Sequence, residues 1–194
     1  MALTRRSGSG SVESMFGFRR KNSGRELVEG LHARVVEASR RPELYVEAGL
    51  PDTMEGRFEA LTLHALLVLR RLRQLPPPAD DVAQELVDAV FAHLEIALRE
   101  MGIGDFGVPK RMKKLAQAFF DRTAKYDALI ASGDAGGLAA EMAGRLGAEP
   151  ARLRPFADLV LASEARLAVA DLDAILAGPP FASASPAAAA EASR

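Results

Sequence analysis

The chain has 194 residues, 48% apolar and 26% charged, which is the profile of one soluble globular domain long enough to bury a core. A formal net charge of −1 excludes a globally basic nucleic-acid binder, DNA binders included, although a local basic face is compatible with it. With no cysteine, disulfides, thiolate metal sites and cysteine nucleophiles are excluded, and with 6% aromatics and no tryptophan the core must come mainly from Leu, Val and Ala.

Residues 1–22 are rich in Ser, Gly and Arg around a short patch from Met15 to Lys21, a composition that predicts disorder. Arg5 and Arg6 precede no apolar stretch, so no secretory signal is read and the protein is expected to work on the side where it is made. Ser23 is the expected N-cap of a first helix reaching Ser39, with Leu27, Leu31 and Val35 as its stripe. Pro42 ends it, and a short segment from Glu43 to Ala48 leads to the break at Gly49-Leu50-Pro51. Asp52, with Glu55 three residues on, reads as a capping box opening a long helix to about Arg73. Its stripe is Met54, Phe58, Leu61, Ala65, Val68 and Leu72. Leu63, Leu66, Leu67 and Leu69 extend the apolar character almost all round, which predicts the buried centre of the fold. The apolar run from Leu61 to Leu69 is too short to span a bilayer.

After Pro76-Pro77-Pro78, Asp80 or Asp81 is the expected cap of a helix striped by Val87, Phe91, Leu94, Leu98 and Met101 and stopped by Gly102. Gly107 and Pro109 open the next, from Val108 to about Ile130, whose face is Val108, Met112, Leu115, Phe119, Tyr126 and Ile130. Ser132-Gly133 closes it and Asp134 caps another. Gly147 and Pro150 then lead to a last helical region ending near Leu176, which Pro155 opens or kinks. Residues 178–194 are a Pro/Ala/Ser tail predicted to be disordered. Nowhere is a period of two sustained. The expectation is an all-α fold: one compact multi-helix domain over residues 23–177 with disordered tails on both sides.

The three histidines, His32, His64 and His93, fall on three different predicted helices without metal-ligand spacing. His64 shares a helical face with Arg57 and Arg71, which suggests a polar seam beside the core. No P-loop, strand-borne GxGxxG or GxSxG elbow occurs, so neither enzymatic activity nor a cofactor or metal is expected. What stands out is basic. Lys110, Arg111, Lys113 and Lys114 crowd the opening turns of a helix, where the macrodipole disfavours each exposed cation by roughly 0.3–1 kcal/mol. Asp105 is the nearest counter-charge, and one carboxylate cannot neutralise four cations. Further along the same helix stand Arg122 and Lys125. An ordinary solvated face and a partner-binding face made by these six residues explain the pattern about equally. A ribosome or RNA adaptor using this helix, and a haem or small-molecule carrier, are the rival functional classes.

Two blocks of this sequence resemble the ubiquinol–cytochrome c chaperone family. The first contains Pro51-Asp52-Thr53, Gly56-Arg57-Phe58 and Leu63-His64. The second contains Gly102-Ile103-Gly104-Asp105, Val108, Lys110, Met112-Lys113-Lys114, Phe119 and Arg122. Phe120 and Asp121 depart from the family's Tyr and Gly, and the C-terminal third resembles it only loosely. The resemblance implies a non-catalytic assembly factor for respiratory complex III that binds newly made cytochrome b or another subunit of that complex. It also implies a small partner protein, contact with the ribosome or an anionic membrane surface, and a place in the cytoplasm on the inner face of the inner membrane, or in the matrix of a mitochondrion.

Overall fold

Proline and glycine divide the chain into its helices. The computed structural model describes the backbone of residues 12–183 and the side chains from residue 24 onward, with eight helices and no strand among the described residues. The first, α1 (Val12–Ser39), gives way to α2 (Pro42–Val46), which starts on the proline that ended its predecessor. The central helix α3 (Met54–Leu72) is capped by Thr53, whose hydroxyl accepts the Gly56 amide at 3.1 Å. The expected Asp52–Glu55 capping box is therefore not the cap. Asp52 instead receives the Arg57 guanidinium at 2.7 Å, a partner one turn away that competes for its oxygens. Only glycine fits at position 56, since a Cβ there would stand 2.0 Å from the Pro51 carbonyl oxygen.

The helix α4 (Ala79–Glu100) has no side-chain cap, so the expected Asp80 or Asp81 cap does not form; both lie inside its first turn, where they complement the positive end of the dipole. Next comes α5 (Val108–Ala131), with Pro109 in its opening turn. Asp134 caps α6 (Ala135–Leu146) as expected, accepting the Gly137 amide at 2.8 Å. Pro150 opens α7 (Pro150–Leu167), and Pro155 lies within that helix. The last helical region breaks only after Leu167, and Asp171 caps α8 (Leu172–Ala177) by accepting the Ala174 amide at 2.8 Å.

Packing follows the apolar stripes. The central α3 contacts α1, α4, α5, α6 and α7, and Leu63, Leu66 and Leu67 are buried, as its all-round apolar sequence predicts. On α5 the burial of Val108, Phe119, Tyr126 and Ile130 matches the predicted face. On α1 and α4 the predicted Leu31, Val35, Leu94 and Leu98 are buried, while the other stripe positions give way to neighbouring residues. Val28, Leu31, Val35 and Ala38 face inward on α1 while Leu27 is half exposed, and Leu86, Val90, Leu94 and Leu98 face inward on α4 while Met101 is half exposed. Both helices offer adjacent apolar residues, so periodicity alone left the register open.

At each end, described structure extends into a segment expected to be disordered. Residues 12–22, expected to be disordered, are the first turns of α1. No proline interrupts Val12–Ser39, and its glycines stand singly, so the helical ladder continues past the expected Ser23 cap. Residues 1–11 lie outside the described residues. At the other end, residues 178–183 are bound to the core, contrary to the expected tail. Phe181 and Ala182 are buried, the Ala182 amide donates to Ser163 Oγ at 2.9 Å, and Arg166 and Arg41 donate to the Phe181 and Ala182 carbonyls. Aromatic burial and paired backbone groups outweigh the Pro/Ala/Ser composition there. Residues 184–194 lie outside the described residues.

Candidate functional site

The basic cluster sits where α4 turns into α5. At the end of α4, Arg99 binds Glu95 at 2.9 Å and also holds Asp105, which raises the guanidinium's affinity for its proton. The turn is tied further by the Ile103 amide donating to the Leu98 carbonyl and the Gly107 amide donating to Gly104. Gly102 supplies the positive φ of 78° that lets the chain leave α4. Asp105 is thus committed to Arg99 and does not serve the cluster. Lys110, Arg111, Lys113 and Lys114 are all exposed, and none forms an ion pair among the described residues.

The other two members of the predicted face belong elsewhere. Arg122 turns inward, with its side chain 12% exposed, and meets the wholly buried Glu59 carboxylate at 2.9 Å. Its guanidinium lies 4.9 Å from the centre of the Phe58 ring, and the Tyr126 hydroxyl donates to the same carboxylate. Burial and the adjacent Glu59 raise the Tyr126 pKa, keeping the phenol a donor. Lys125 is taken up by Glu141 at 3.1 Å, a carboxylate that also binds Arg145. The six residues therefore separate into four free cations, one bridged lysine and one internal arginine. Arg122 is intermediate in helical phase between the basic and apolar faces, and only the buried carboxylate on α3 decides its direction.

One residue of the corner escaped the sequence reading. Phe106 is completely exposed, and Met101 beside the same turn is 49% exposed. The signal was present as an aromatic in a glycine-rich connector, outside any helical stripe.

The first-block motif residues are structural in their contacts. Asp52 is paired with Arg57, which lowers its pKa, Gly56 accommodates Pro51, and Phe58 carries Arg122. His64 is buried; its Nδ1–H donates to the Ala60 carbonyl at 2.8 Å, and its ring lies 4.7 Å from that of Phe181. The expected seam with Arg57 and Arg71 does not form, because Arg57 binds Asp52 and Arg71 donates to the Ala170 carbonyl. Burial lowers the His64 pKa from 6.5 to about 4. Unfolding at pH between those values exposes a ring that takes up a proton. The contribution is fully present above pH 6.5 and is lost as pH falls towards 4, by roughly 3 kcal/mol in the limit. Thermal melts from pH 7 to 4 should therefore fall more steeply for the native chain than for His64→Phe. Parallel curves would remove His64 as the source.

The remaining histidines meet between α1 and α4. The rings of His32 on α1 and His93 on α4 lie 5.3 Å apart, and Arg40 donates to His93 Nε2 at 3.3 Å. With Glu37 and Arg41 they line an open cleft of about 650 Å³. No group of three or more metal-binding side chains converges among the described residues.

Comparison with known proteins agrees with this architecture. The profile of the family described as ubiquinol–cytochrome c chaperone matches residues 46–183, ending at the docked segment that carries Phe181. The crystal structure of the Cbp3 homologue from Brucella abortus is similar at a TM-score of 0.75 and 35% identity, covering 87% of this chain and 96% of that one. No curated protein matches the chain.

Proposed function

The chain belongs to the ubiquinol–cytochrome c chaperone family, and on that premise we propose that it binds newly made cytochrome b at the membrane surface, with the basic opening of α5 facing its partner. The coarser role is that of a non-enzymatic assembly factor for the cytochrome bc complex. No helix among the described residues is long and apolar enough to cross a membrane.

The observation that carries the site is the set of four exposed cations without ion pairs among the described residues, held where the helix dipole opposes them. Because Asp105 is occupied by Arg99, the cluster lacks the internal counter-charge that would have given it a stabilising role. Replacing Lys110, Arg111, Lys113 and Lys114 together by Gln is expected to leave stability unchanged or raise it by about 1–2 kcal/mol. The same variant should fail to restore cytochrome b in a strain lacking the native protein, and cytochrome b should no longer co-purify with it from translating cells. Full restoration by a stably folded variant would reduce the cluster to a solvated face.

A further inference from the structure

We propose that the α4–α5 corner docks on an anionic lipid bilayer, with Phe106 inserting at the headgroup boundary and Lys110, Arg111, Lys113 and Lys114 contacting lipid phosphates. This rests on the reading of the basic cluster as a contact surface and makes the bilayer on which cytochrome b is met, instead of cytochrome b itself, the surface those cations touch.

Three observations favour a lipid surface over an acidic protein. First, the corner projects an apolar residue and the cations together: Phe106 is fully exposed and Met101 half exposed immediately before the basic turns. Exposed aromatics beside lysines and arginines have the composition of an interfacial anchor. Second, Phe106 protrudes: its side chain is fully exposed and covered by no other described part of the fold. The cleft between α1 and α4 around His32 and His93 is lined by neither Phe106 nor any of the four cations. A fluid anionic surface needs no matching groove, whereas a protein ligand of an isolated aromatic needs a pocket of its own.

Third, the cations form one face. At 100° per residue, Lys110, Arg111, Lys113 and Lys114 fall in an arc of about 160° on the side of α5 opposite Val108, Met112 and Leu115. All four can approach one plane while the apolar side of α5 remains packed. The turn that displays Phe106 is also pre-formed, held by Arg99–Asp105 and by the amides of Ile103, Gly107 and Val108. Docking therefore requires little further ordering of the turn backbone. Neutralising phosphates with these cations relieves the dipole mismatch described above, so the unfavourable sequence becomes favourable in the bound state.

The test uses the purified full chain and vesicles of phosphatidylcholine, alone or with phosphatidylglycerol. The native protein should sediment with the mixed vesicles at low salt, release as salt rises, and ignore phosphatidylcholine alone. Phe106→Ser should weaken partition about tenfold, and the fourfold Gln variant at least tenfold. Val46→Ser, on an exposed site of α2, should have no effect. The chain has no tryptophan, so Phe106→Trp places a single tryptophan at the corner, excited selectively at wavelengths where the two tyrosines do not absorb. Its emission should shift to the blue with mixed vesicles, and that of Val46→Trp should not.

Absence of native binding, or binding indifferent to Phe106→Ser together with an unshifted emission spectrum of Phe106→Trp, would overturn the proposal. Cytochrome b capture from detergent extract, where no bilayer remains, separates this from the functional reading. Vesicle binding lost in the fourfold variant with detergent capture intact supports lipid docking. Vesicle binding retained with capture lost assigns the cluster to the protein client and overturns it. If vesicle binding depends on the corner while cytochrome b accumulates normally in the variant strain, lipid docking stands and the functional role of the cluster falls.

Discussion

Leu66→Asp is expected to destabilise the domain by at least about 4 kcal/mol, enough to leave little folded protein at 37 °C. Leu66 is 1% exposed on a helix that touches five others, so its carboxylate would have neither water nor a partner. Relaxation is constrained on all sides. Neighbouring Leu63 and Leu67 are equally enclosed, and moving α3 would open its contacts with α1, α4, α5, α6 and α7 together. Met54→Asp is the matched control, the same helix and the same charge at a site 54% exposed, and should shift stability by less than about 0.5 kcal/mol. Urea unfolding followed by circular dichroism reads both. A Leu66→Asp protein that unfolds like the native one would place α3 at the periphery.

That central helix was legible because its composition makes a claim no other segment makes. Apolar residues at 61, 63, 65, 66, 67 and 68 cannot all face one side, so burial all round is their only common solution. The face of α5 was legible for the opposite reason, since its apolar and charged residues separate cleanly in phase. Where two apolar residues are adjacent, as at Leu27 and Val28 or Leu86 and Val87, the helix was visible and its rotation was not. The α3 cap shows the same limit at short range: Asp52 and Thr53 both suit a cap, and the Arg57 side chain takes the first of them.

The ends of the domain were hidden by composition. Residues 178–183 read as a tail because Gly, Pro, Ala and Ser rarely pack, yet one aromatic, Phe181, meets His64 across more than a hundred positions. Long-range partners of this kind leave no periodic trace. The candidate site divides along the same line. The dipole mismatch at Lys110–Lys114 is local and could be read directly, whereas the internal commitment of Arg122 depends on a residue of another helix.

Arg122 consequently provides the second large effect, and one easily mistaken for loss of partner contact. Arg122→Ala removes the cation facing Glu59, whose side chain is 0% exposed, and leaves a buried carboxylate with only the Tyr126 hydroxyl as donor. The expected loss is about 3–5 kcal/mol, the usual consequence of orphaning one member of a buried pair. Cytochrome b would then fall in cells because little folded protein remains, with no part played by the surface of α5. A paired substitution separates the two causes. In Glu59→Leu/Arg122→Met both charges go and apolar volume is kept, so stability should return to within about 1–2 kcal/mol of native. The α3–α5 contact is then held by an uncharged thioether side chain packing on Phe58, in place of the guanidinium over the ring. If Arg122 only bridges the two helices, the double variant should regain cytochrome b along with its fold. If a refolded double variant still fails to support cytochrome b, Arg122 or Glu59 has a role beyond holding α5 against α3.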